Sequence, residues 1–153
     1  MTAPTKARLV TGTSLIDGAL FDRLEGRIAA DHPDLAPDMP ARIVDQALAF
    51  LGACAVTTEP IGPSEIVDIG WHTFILYTLE YATFCQRIAG RFIHHVPDDV
   101  PAAEPPADGP GLTATVQAIT DAGYRVDPDL WGCAAKCNKC NQCHQGCTDS
   151  PKR

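Results

Sequence analysis

Asp68, Trp71 and His72 sit in the middle of the longest apolar segment of the chain, where charged and polar residues are costly without a reason. On a helix, Asp68 and His72 are at i and i+4 and share a face. At that spacing the carboxylate orients the imidazole, or both side chains reach one metal ion. Cys85 follows thirteen residues after His72. That is about 220° around an unbroken helix, so Cys85 joins the same site only if the helix breaks or turns between them. His94 and His95 come after Gly90, where the chain is able to fold back toward His72. The plainer reading makes the Trp-His pair the buried centre of a bundle, with His94 and His95 at a polar helix end and Cys85 as a small buried hydrophobe.

The second chemical group is Cys133-x3-Cys137-x2-Cys140-x2-Cys143-His144-x2-Cys147. With Ala134 and Ala135 as the only aliphatic residues among them, these cysteines do not make a core. Thiolates at this spacing bend round one ion or cluster. Cys137, Cys140, Cys143 and Cys147 reproduce the spacing of one half of a bacterial ferredoxin motif. The proline expected after the last cysteine stands instead at Pro151, and the second half-motif is missing. Zinc, an iron–sulfur cluster and copper(I) all suit such donors, and spacing does not choose among them. Metal binding is the favoured reading, and two others compete with it: a folded body followed by a short Cys-rich terminus resembles a precursor or adaptor whose tail is modified or read by a partner enzyme docked on the body, and a reduced, disordered tail with scavenging or redox roles fits the same composition.

The pattern Asp68-x2-Trp71-His72-x8-Tyr81-x3-Cys85, followed by Gly90 and His95, resembles the signature of the glycine-rich domain-containing proteins over residues 68–95. That family has a second histidine two positions after the first, and here the position is Phe74. The resemblance implies a helical domain. Some plant members are connected with RNA binding, but this chain shows no glycine-rich tract or RNA-binding module, so that property is not carried over.

The elements that must position these groups are helical. Leu15, Ile16, Ala19, Leu20, Leu24 and Ile28 form one stripe, with Ser14 as the predicted N-cap. Ile43, Val44, Ala47, Leu48 and Leu51 line a second helix from about Pro40 to Ala55. Ser64 caps a third, which runs to about Arg87 with a break expected near Thr78 and a stop at Gly90. A fourth spans Leu112 to Ala122 and ends at Gly123, after which Trp131 is expected to anchor a turn. The fold class is all-α: a bundle of about four helices, with a flexible arm at 1–13, a helical domain at 14–131 and a Cys-rich tail at 132–153.

The chain of 153 residues carries a net charge of −7, divided as +3 from Gly132 onward and −10 before it. An acidic body argues against a nucleic-acid surface. No apolar run approaches the length of about 20 residues needed to span a membrane. Met1–Val10 shows no secretory signal, so the cytoplasm is the expected compartment, where seven cysteines point to metal, redox chemistry or burial rather than disulfides. No nucleophile–base pair, phosphate loop or dinucleotide fingerprint is visible, which favours a non-enzyme. The expected function is metal binding through the tail thiolates, with Asp68 and His72 as a second ligand set or as the centre of the bundle.

Overall fold

Eleven of the eighteen residues of one helix, Met39–Val56 (α2), are buried, and they lie on more than one of its faces. A helix apolar on most sides needs neighbours on most sides. In the computed structural model, which describes residues 8–96 and 111–132, α2 packs against every larger element. These are a 3₁₀ turn at Gly12–Leu15 and the helices α1 (Gly18–Asp31), α3 (Glu65–Leu76), α4 (Thr78–Ala89) and α5 (Gly111–Asp121). A short helix, α6 (Pro128–Trp131), completes the body against α3. The fold is all-α, with six α-helices and no strand among the described residues. Among the described residues, α2 alone is long and apolar enough to cross a membrane, and its burial at the centre of the bundle accounts for that apolarity.

The close approach of α2 and α3 depends on Gly70. A Cβ there would lie 2.8 Å from the Ala47 methyl and 3.0 Å from the Ile43 carbonyl oxygen. This lack of bulk seats Trp71 and Phe74 against the core, where Phe50 and Trp71 meet with ring centroids 5.1 Å apart. The expected third helix is two helices. Tyr77 (φ −90°, ψ 68°) closes α3 and opens α4, one residue before the predicted break. Ser64 caps α3 through its Oγ, which accepts from the Val67 amide. Gly90, at φ 67°, ends α4 in the left-handed region that favours glycine.

The N-terminal boundary differs from expectation. Asp17, not Ser14, caps α1 by accepting from the Leu20 amide at 2.8 Å. Ser14 belongs to the preceding 3₁₀ turn and donates to the Thr11 carbonyl. Asp45 of α2 imposes this arrangement: its Oδ1 accepts from both the amide and the hydroxyl of Thr13 at 2.9 and 2.7 Å. Nor is the predicted arm loose where it is described. Val10 forms a parallel bridge with Tyr124, donating to the Gly123 carbonyl and accepting from Arg125, both at 2.9 Å.

Trp131 is the anchor expected of it. It is buried, and its indole N–H donates to Gln46 Oε1 at 2.7 Å. The same oxygen accepts from the Asp127 amide, while Gln46 Nε2 donates to Asp45 and to the Arg125 carbonyl. Arg42 forks onto both carboxylate oxygens of Asp127 at 2.7 and 2.8 Å and also reaches Asp129. The end of the body is therefore fastened to α2 by two polar residues one turn apart.

Candidate metal centre

Ser64, Asp68 and His72 fall at i, i+4 and i+8 and so form a single stripe along α3. The chain returns to this stripe after Gly90. Along 92–96 burial alternates: Phe92, His94 and Val96 are exposed, Ile93 is buried, and His95 is mostly covered. Ile93 is held from below. The Trp71 indole N–H donates to the Tyr81 hydroxyl at 2.9 Å, and that hydroxyl donates to the Ile93 carbonyl. Two residues on, His95 enters the site between two rings, 4.3 Å from Trp71 and 4.3 Å from His72, centroid to centroid.

Asp68 receives both imidazoles on separate oxygens. His95 Nε2 lies 2.7 Å from Oδ1, and His72 Nε2 lies 3.4 Å from Oδ2. One donor atom from each of Asp68, His72 and His95 falls within 4.8 Å of the other two. The cluster is graded in exposure, from His95 at 14% through Asp68 at 26% to His72 at 61%. Two imidazoles and a carboxylate converging from one side leave the opposite side open, the donor set used for zinc and for ferrous iron.

The other sequence-predicted residues are placed elsewhere. Cys85 is buried in the core on α4 and takes no part in the cluster, despite the break at Tyr77. His94 is exposed and packs on Phe92, with centroids 4.8 Å apart. Cys133, Cys137, Cys140, Cys143, His144 and Cys147 lie outside the described residues. Burial pushes the Cys54 thiol up to about 12 and keeps it protonated, against the opposing pull of Arg91. A groove of ≈ 530 Å³ runs between the end of α2 and α5, past Val56 and Ala118, and shares no residue with the cluster.

Tyr81 is the residue whose role the sequence did not disclose. A buried tyrosine needs a partner for its hydroxyl, and here it has two. Burial raises its pKa, with the Trp71 hydrogen bond opposing and Cys85 adding to the rise, so the hydroxyl stays a neutral donor. Its contribution is whole below its ordinary value of 10.0 and is lost as pH climbs beyond it. Tyr81→Phe strands a buried indole N–H and a buried carbonyl, and is expected to lower stability by about 1–3 kcal/mol in urea denaturation. The His95 ring protons are expected to shift in the NMR spectrum as the imidazole loses its fixed position over Trp71.

The fold and site thus define a helical body carrying a two-histidine, one-aspartate cluster. The chain belongs to the UCP032817-like family, whose model matches residues 13–120. The match takes in Asp68, His72 and His95 and stops short of α6 and the cysteines that follow. No curated protein and no solved structure matches the chain.

Proposed function

We propose that this is a cytoplasmic metal-binding protein without catalytic activity of its own. Its body holds one divalent transition metal, zinc or ferrous iron, through Asp68, His72 and His95, and its C-terminal thiolates hold a soft metal. The observation that carries the body site is the convergence of three donor atoms within 4.8 Å on one rigid helix and a pinned return segment. Zinc fits because it accepts mixed imidazole and carboxylate donors and tolerates an open fourth position. Protein-bound imidazole competes with protons, so binding weakens on acidification.

The test isolates the body by changing all five tail cysteines to serine in the full chain. Zinc titration by calorimetry and metal analysis of the desalted protein are expected to give one ion per chain. No retained zinc removes the body site. Soft metal present in the unaltered chain and absent from this variant supports the thiolate site.

A second reading draws on the anchoring of Trp131 and on the cysteines that follow it in the sequence. Trp131 is buried and anchored, and Cys133 follows two residues later. A folded body followed in the sequence by a Cys-rich stretch suits a precursor or adaptor whose tail a partner enzyme modifies. A mass change on the tail, with no metal bound anywhere, is the result this reading requires.

A further inference from the structure

The donors of the body site form an incomplete shell. Asp68, His72 and His95 come together, and among the described residues no further histidine, cysteine or carboxylate joins them. His94 is turned outward onto Phe92, and Cys85 is buried in the core. Structural zinc sites draw all four ligands from protein. Three protein donors leave a position for a ligand from solution.

Exposure fixes where that position lies. His95 is only 14% exposed and lies against the Trp71 ring, which closes the inner side of the cluster. His72, at 61%, is the outermost donor. An ion held by all three therefore meets solvent beside His72.

Charge and surface then select the ligand. A divalent ion with one carboxylate and two neutral imidazoles keeps a charge of +1, which a monoanion cancels. The chain before Gly132 carries −10, and exposed Glu65 stands three residues before Asp68 on α3. That field disfavours anions of higher charge. One turn beyond His72 on the same helix is Leu76, 61% exposed. An aliphatic chain laid on Leu76 takes apolar surface out of water, and a bare inorganic anion does not.

We propose that the ion held by Asp68, His72 and His95 takes a small aliphatic monocarboxylate as its outer ligand, with the carboxylate on the metal beside His72 and the hydrocarbon chain against Leu76. This rests on the body site proposed above. The carboxylate displaces water from the ion, and no proton or electron is transferred.

Cobalt(II) is the probe, because its visible absorption changes when its ligands change. The full chain with its five tail cysteines changed to serine is used, so that no thiol competes for the open position. The cobalt-loaded protein is titrated with acetate, butyrate and inorganic phosphate, and the series is repeated on Leu76→Ser, a change at an exposed position that leaves the core intact. Acetate and butyrate are each expected to change the spectrum saturably without loss of cobalt. Butyrate is expected to act at about fivefold lower concentration than acetate, and phosphate only at higher concentration than either. Leu76→Ser is expected to remove the preference for butyrate. Bound cobalt whose spectrum neither carboxylate alters overturns the proposal and leaves the body site standing. Butyrate no tighter than acetate, or a preference that persists in Leu76→Ser, overturns it as well. If no cobalt binds, the body site itself falls and the proposal falls with it.

Discussion

His95→Ala is expected to strip the ion from the body, with zinc affinity falling by at least about 100-fold in calorimetric titration. His95 is the best covered of the three donors and the one in closest contact with Asp68, at 2.7 Å. Without it the remaining pair, Asp68 and His72, sits on an open helix face where water competes for both. The fold is expected to survive. His95 lies beyond the end of α4, its imidazole pairs with a carboxylate that water can reach, and stability falls by about 1 kcal/mol. Circular dichroism checks that helix content is kept. Unchanged affinity in a folded variant would mean that the convergence of these rings serves packing alone.

The largest loss of stability is expected from Gln46→Leu, about 3–5 kcal/mol in thermal or urea denaturation. Leucine matches the volume but makes none of the four hydrogen bonds. The change leaves the buried Trp131 indole N–H, the Asp127 amide and the Arg125 carbonyl without their partner. Each stranded buried group costs about 1–3 kcal/mol, a large share of the roughly 5–15 kcal/mol that holds an ordinary domain together. The readout is local as well as global. Trp131 fluorescence is expected to shift to the red as α6 comes away from α2. The neighbouring Arg42 fork is more exposed and screened, so Arg42→Ala is expected to cost less than Gln46→Leu. A loss under about 1 kcal/mol for Gln46→Leu would show that apolar packing of Leu130 and Trp131 is enough to hold α6.

The shared face of Asp68 and His72 is readable because it follows from helical spacing alone. So are the stop at Gly90 and the break expected near Thr78, which the structure places at Tyr77. The choice between His94 and His95 is decided by tertiary contact. Tyr81 draws the Ile93 carbonyl inward, and alternation then turns His94 out and His95 in. The sequence holds no signal for that choice, because Phe92 stands two before His94 just as Ile93 stands two before His95. Cys85 was placed away from His72 by angle, and it remains away in the bent helix pair because α4 turns it into the core. The cap at Asp17 was hidden for another reason: the Ser14 pattern is locally sound, but Asp45, distant in sequence, claims Thr13 and winds the chain into a 3₁₀ turn. Local rules lose wherever a single buried polar side chain organises two elements at once.

The bridge between Val10 and Tyr124 also sets an order of events during synthesis. Val10 leaves the ribosome early and Tyr124 late, so the strap that joins them is tied only after α1 to α5 have emerged. Until then Gly52 of α2 has no Tyr124 ring laid across it, and Gln46 waits for Arg125, Asp127 and Trp131. The helix with eleven buried residues is thus left partly uncovered on the nascent chain, the interval in which such a surface is prone to aggregate. The last stretch of the body to be made is the one that shields the first helix to need it.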